Sequence, residues 1–257
     1  MPRVIKPSDS EARRAVRDAA PLLPDPTRRA LLRGAASFGA LSLLTGCDVT
    51  DGLSAEKALR AISRFNDRAQ ALLFDPNRLA PTYPESAIAR PFRFNAYYDE
   101  EDAPEIDADD YKLAIGGLVA NKKAWTLDEL YAMAQETQIT RLVCVEGWSL
   151  IGKWTGIPLR DFLQRIGADT SAKYVYFRCA DRYFTSIDMP TALHPQTQMT
   201  VKFDGEILPR SFGFPLRIRI PTKLGFKNPK HVVELAVINE YVGGYWENQG
   251  YNWFIGL

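Results

Sequence analysis

Cys144 is the residue whose type and setting best suit chemistry. It ends the apolar run Arg141-Leu-Val-Cys-Val and precedes the polar turn Glu146-Gly-Trp-Ser149. A strand that runs into glycine presents its last side chains to a cleft, and a thiolate there is a soft metal ligand. The plainer alternative is a small core hydrophobe, the usual fate of a buried cysteine. Cys47, Cys144 and Cys179 are too few for a disulfide scaffold, and no Cys-x-x-Cys pair offers a zinc site. His194 and His231 cannot build a three-histidine zinc centre. A hydrolase pairing Cys144 with His194 lacks a nucleophile elbow or an evident helix N-terminus around the thiol. His194 reads more simply as a satisfied loop histidine. Arg178 and Arg182 flank Cys179 and would either offer positive charge to a substrate or sit on a solvated hairpin.

The elements that must position these residues follow from hydrophobic periodicity. Leu59, Ile62, Phe65, Ala69 and Leu72 recur at spacings of three and four, which predicts a helix over 54–74 with Ser54 as its cap. Four prolines between Asp75 and Pro91 predict an extended strap. Strands are expected at 111–115, ended by Gly116-Gly117, and at 138–145, 174–178, 183–187, 215–220 and 232–238. Thr126 and Glu129 form a capping box for one short helix, and another starts at Pro158. No regular β-α-β alternation appears, so the fold class is α+β. The C-terminal Tyr245-Trp246 and Tyr251-Asn-Trp253-Phe254 read as an aromatic core lid.

Composition narrows the function classes. The 257 residues are 46% hydrophobic, which excludes a disordered or fibrous chain, and the net charge of +1 gives no basic excess for nucleic acid. The charge is unevenly divided. Residues 1–46 carry eight basic and four acidic side chains, a net of +4, which leaves 24 basic and 27 acidic in the remainder, a net of −3. Within that leader, Arg28 and Arg29 precede the thirteen-residue apolar run Gly34–Gly46. A permanent bilayer span needs about 20 residues, so the run has the length of a signal-peptide core instead. The paired arginines resemble a twin-arginine export signal. Leu44-Thr-Gly-Cys47 resembles a lipobox, which would acylate Cys47, and Asp48 resembles a retention signal for the cytoplasmic membrane. The expected organisation is a signal peptide at 1–46, a helix and Pro-rich strap at 47–90, and a catalytic domain at 91–257. Export of an already folded chain suits a protein that must receive a bulky prosthetic group before it leaves the cytoplasm.

The run R-L-V-C-V-E-G-W-S, followed by W-T-G-I-P-L, resembles the molybdenum-binding core of the sulfite oxidase superfamily, closest to its periplasmic methionine sulfoxide reductase branch. Four further segments fit in chain order: F-N-A-Y-Y-D at 94–99, H-P-Q-T-Q-M-T-V at 194–201, G-F-P-L-R at 213–217 and K-L-G-F-K-N-P-K at 223–230. Together they cover roughly residues 90 to 250. The resemblance implies a mixed sulfite-oxidase-like fold and one molybdopterin, without a nucleotide, whose molybdenum takes Cys144 as its protein ligand. An anionic sulfur donor suits a high-valent oxo-metal and leaves oxo positions open to substrate.

The same resemblance places Asn95, Tyr98 and Asp99 against the pterin, where Asn and Asp can bond its edge. Turn residues at a strand end are the alternative. Cys179 falls where relatives have a threonine near the cofactor, and Phe212 where they have an asparagine, so that any contact of Phe212 runs through its backbone. Arg217 suits the cofactor phosphate because a guanidinium is a fixed fork of donors. Asn228, Pro229 and Lys230 match a phosphate-contacting loop. The expected activity is two-electron oxygen-atom transfer on a small substrate: reduction of a sulfoxide or N-oxide, or oxidation of a sulfite-like molecule. No haem, flavin or nicotinamide motif is present, so electrons must pass through a separate protein, for which a membrane b-type cytochrome is the natural candidate. The chain is read as a monomer, lipid-anchored on the periplasmic side of the cytoplasmic membrane. The competing reading is a non-catalytic lipoprotein binding module of the same fold.

Overall fold

The structure, a computed structural model, describes residues 52–257. The chain divides into two compact units, Met1–Lys57 and Ala58–Leu257. The first is described only at 52–57, where a helix opens. The paired arginines, the apolar run and Cys47 lie outside the described residues.

Helix α1 (Gly52–Leu73) begins two residues before Ser54, so Ser54 is not its cap. The Pro-rich segment after it crosses the body as an extended strap, bonded to Ile139 through the Tyr83 amide and to Ile151 through the Ala89 amide. Strand β1 (Lys112–Gly117) runs through both glycines instead of turning at them. A Cβ at Gly117 would lie 2.0 Å from the Val237 carbonyl oxygen, so the glycine marks a close approach of two strands. The short β2 (Trp125–Thr126) leads into helix α2 (Leu127–Tyr131), where the capping box forms as its spacing predicts: Thr126 Oγ1 accepts from Glu129 N–H, and the Glu129 carboxylate accepts from Thr126 N–H.

Strands β3 (Glu136–Val143) and β4 (Ser149–Pro158) form a hairpin, followed by helix α3 (Leu159–Arg165). A second hairpin joins β5 (Tyr174–Cys179) and β6 (Phe184–Asp188). The one-turn helix α4 (Met189–Ala192) then feeds β7 (Gln198–Phe203), β8 (Glu206–Ile207), β9 (Arg217–Arg219) and β10 (Val232–Ile238). The strands make two mixed or antiparallel sheets. One has the order β2-β1-β10-β5-β6, with β1 and β10 parallel; the other runs β3-β4-β7-β8, with β9 added to β7.

A single buried cluster joins both sheets: Leu113, Val175, Phe177 and Leu235 from the first, Ile157, Met199, Val201 and Ile218 from the second. Leu127, Leu130, Phe162 and Leu163 of the helices close it. A smaller aromatic cluster holds Trp154 and Phe203 with Phe92 and Phe212. This is the α+β arrangement that the sequence predicts. Its consequence for function is that the β3–β4 connection, the β5–β6 turn and the segment between β9 and β10 gather around one cavity.

Candidate active site

The cavity is built on the β3–β4 turn. Cys144 follows the last residue of β3, and its amide donates to the Trp148 carbonyl at 2.8 Å. Gly147 supplies the left-handed corner, φ +87°, that closes the turn. Cys144 lines the cavity with Val145 and Glu146. Burial pushes its thiol up, against the pull of the Glu146 backbone amide. The resting group is therefore a thiol, and a metal would have to displace its proton.

Facing it is the loop 225–230. Gly225 is the point of contact: a Cβ there would lie 3.2 Å from the Val143 carbonyl oxygen and 3.7 Å from Cys144 Cα. The loop is pinned from beneath by Asn228, whose Oδ1 accepts from Arg219 Nη1 at 2.6 Å and from Ile220 N–H at 2.7 Å. The Asn228 amide donates to Leu224 O at 3.0 Å. Asn228 thus uses its side chain to hold the loop, and its backbone N–H is spent as well, on Gly225 O at 3.0 Å.

Two buried cations give the cavity its charge. Arg217 is 1% exposed; its Nη1 donates to Phe212 O at 3.1 Å and its guanidinium lies 5.1 Å from the Trp154 ring. Arg217 Nε has no partner, and burial pushes the group down to about 10. Lys230 Nζ donates to Ser211 O at 3.0 Å and sits 4.4 Å above the Phe94 ring. Burial, reinforced by Arg217, pulls it down to about 7. Neither cation makes an ion pair among the described residues. Asp181, an acid of the same lining, is itself raised by burial and accepts from the Tyr98 hydroxyl at 3.2 Å. A wall with two buried cations outside any ion pair, beside the lining acids Asp181 and Glu146, can receive an anion.

Asn95, Tyr98, Cys144, Arg217, Asn228, Pro229 and Lys230 are brought together around this cavity. Three expected residues are not. Cys179 does not line it: on β5 the alternate residues Val175, Phe177 and Cys179 all face the core, which leaves Cys179 2% exposed among apolar neighbours. The side chain of Phe212 packs on Phe92 and Phe203 in the aromatic cluster, and its carbonyl is taken by Arg217. Asp99 is exposed, at the start of a 3₁₀ turn. His194 lies elsewhere, 1% exposed, with Nε2 on Arg78 O and Nδ1 accepting from Gln196 N–H, so no thiol–imidazole pair forms. Arg178 pairs with Glu234 on the exposed face of the sheet, as a hairpin residue does.

Sequence reasoning missed Tyr97, Asp181, Tyr183 and Phe226, which complete the lining, and it took Trp246 and Tyr251 for core. Tyr97 stacks on Tyr245 with ring centroids 5.1 Å apart, so the C-terminal aromatics are partly wall and partly packing. Arg219 was also missed as a site residue, although its spacing of two from Arg217 puts both on one face of β9, against the same Trp154 ring.

Comparison with known proteins agrees with this geometry. A family model described as the oxidoreductase molybdopterin binding domain matches residues 100–246. A protein of Azospira oryzae named “Putative protein-methionine-sulfoxide reductase subunit YedZ1” is 56% identical over 253 residues, 98% of this chain and 97% of its own. The protein-methionine-sulfoxide reductase catalytic subunit MsrP of Ralstonia nicotianae is 34% identical over 51% of this chain and 44% of its own. That of Xanthomonas axonopodis pv. citri is 35% identical over 54% and 48%. The chain thus spans just under half the length of these two catalytic subunits. Among solved structures, the sulfane dehydrogenase SoxCD of Paracoccus pantotrophus superposes with a TM-score of 0.51 at 22% identity, over 55% of this chain and 41% of its own, which establishes likeness of fold.

Proposed function

The chain belongs to the oxidoreductase molybdopterin-binding family and is a molybdopterin-dependent oxidoreductase, and on that premise we propose that it reduces sulfoxides at the Cys144 cavity. The observation that carries this reading is the convergence on one cavity of a buried thiol, the partnerless Asn95 Oδ1 and two buried cations outside any ion pair. These residues fit the cofactor. Cys144 would ligate molybdenum, Arg217 and Lys230 would take the phosphate, Asn228 and Pro229 would hold the loop that carries Lys230, and Asn95 with Tyr98 would take the pterin edge. One pterin without a nucleotide fills these roles. When bound, the group supplies two-electron redox chemistry coupled to oxygen-atom transfer.

The overall reaction is R₂SO plus two electrons and two protons giving R₂S and water. The chain's own residues bind and orient. Tyr97, Trp246 and Tyr251 line the wall beside Cys144 and offer aromatic faces to the apolar arms of a sulfoxide while excluding water. Asp181, raised by burial and bonded to Tyr98, stands at the cavity as a carboxyl able to hold a proton near a leaving oxygen. The names of the relatives favour sulfoxide reduction over N-oxide reduction or sulfite oxidation, and two of them are called catalytic subunits, which supports a separate electron donor. We place that donor in the membrane as a b-type cytochrome. We place this chain beside it as a monomer, exported folded by the twin-arginine route and anchored through an acylated Cys47. Residues 1–46 are the leader, 47–90 the helix and strap, and 91–257 the catalytic domain.

Cys144→Ser tests the reading. Turnover of methionine sulfoxide with a reduced dye should fall at least on the order of a hundredfold while the fold persists. X-ray absorption should show one sulfur fewer at the metal. Retained activity would remove the mechanism.

A further inference from the structure

Helix α1 sits on the body the wrong way round for a water-soluble helix. An amphipathic helix of a globular protein buries its apolar stripe and leaves its polar face outside. Here the polar face makes the attachment. The Asp67 carboxylate accepts from the amides of Trp253 at 3.2 Å and Phe254 at 2.9 Å, and Gln70 Oε1 accepts from Gly256 N–H at 2.9 Å. The Ser63 carbonyl takes the Asn252 side chain at 3.3 Å. Phe74, just past the helix, packs on Phe254. The apolar row is left in solvent: Phe65 is 68% exposed, Leu72 86% and Leu73 83%, with Leu59 and Ile62 also exposed. Such a contiguous patch marks an interaction surface.

We propose that this face lies on an anionic phospholipid bilayer. Charge decides between a bilayer and an apolar groove on a protein. Arg60, Arg64 and Arg68, at spacings of four, form a row along one flank of the apolar stripe. The only acid from Ala58 to Leu73 is Asp67, and it is turned inward and consumed by the body. An apolar stripe flanked by arginines matches acyl chains beneath a layer of phosphate headgroups. With 22 residues the helix is about 33 Å long. Among the described residues no helix is long and apolar enough to cross a membrane, and contacts with residues 252–256 hold α1 against the body. The helix starts five residues after Cys47. The proposal rests on the acylated, exported reading only for which membrane is met, not for the contact itself.

The test uses the full chain carrying Cys47→Ser, so that no acyl chain contributes. It is mixed with vesicles of phosphatidylglycerol and phosphatidylethanolamine, or of phosphatidylcholine alone, and the bound fraction is read by flotation. Binding should require phosphatidylglycerol and weaken with salt. Phe65→Glu with Leu72→Glu should lower the partition at least tenfold, and Arg64→Glu with Arg68→Glu should remove its salt dependence. Dye-driven turnover in solution should be unchanged in both, because none of these side chains lines the Cys144 cavity. Equal binding by the Phe65→Glu, Leu72→Glu chain would overturn the proposal. So would binding only to vesicles that contain a membrane protein partner, which would reassign the face to protein docking. Mass analysis of the unaltered chain reports acylation of Cys47 separately, so failure of the lipid-anchor reading is distinguishable from failure of this one.

Discussion

Lys230 shows how one residue can couple the cavity to pH. Arg217 and Asp181 act on it within the cavity wall, and Glu100 acts from the segment before β1. Its value of about 7 lies far below that of a free lysine, about 10.4. Between those two values the unfolded chain binds the proton that the folded chain has lost, so the empty protein gains stability as pH rises through that window. A bound phosphate reverses the balance by holding Lys230 charged, and loading therefore takes up a proton. Cofactor affinity of the empty protein should fall as pH climbs from 7 to 9, by on the order of tenfold to a hundredfold. Burial raises Asp181 in the same wall, so its contribution has to be separated from that of Lys230. Lys230→Arg separates the two, because a guanidinium stays charged. Uptake measured at several pH values should be nearly flat in that variant; an unchanged slope would clear Lys230 of the role. The lysine was legible from the G-F-K-N-P-K context, but its lack of a counter-ion was not, since that depends on which acids the fold brings near.

At the scale of elements, the loop 225–230 is only as ordered as its anchor. Asn228 Oδ1 satisfies a fully buried guanidinium and a buried amide at once. Asn228→Ala should leave both short of an acceptor and cost about 2–4 kcal/mol in urea unfolding, more than an exposed asparagine would. Asn228→Asp keeps the acceptor beside Arg219 and should recover much of that loss; equal destabilisation by both would mean that the hydrogen bonds are not what holds the loop. Six of the ten strands were readable, as in β5, where one face alternates. The two-residue β2 and β8 were too short to show a period, and β4 and β7 were missed for other reasons. In β7 nearly every residue is buried, so no alternation exists to read. In β4 the glycines resemble turn signals, yet Gly156 is there because a Cβ would come 2.1 Å from Met199 O of the neighbouring strand. Periodicity found helix α1 but could not say which face meets the body, because that is decided by the Asp67 contacts with the C-terminal segment.

For the molecule as a whole, the question is why such a chain would carry paired arginines ahead of a short apolar run. The unpaired cations of the cavity make the empty fold costly, and a ligand that binds only the folded state stabilises it by mass action. On the export proposal, loading before the chain moves stabilises the cargo, and only a route for folded proteins permits that order. The paired arginines are the discriminating feature because Arg28→Lys with Arg29→Lys leaves the +4 leader charge intact. A general electrostatic attraction to the membrane would survive this change, whereas recognition of two planar guanidinium forks would not. The doubly substituted chain should therefore accumulate in the cytoplasm at full length and loaded with molybdenum, with its periplasmic amount down at least on the order of tenfold, read by fractionation and metal analysis. Periplasmic levels equal to those of the unaltered chain would show that the arginines act only as charge and that the leader uses another route.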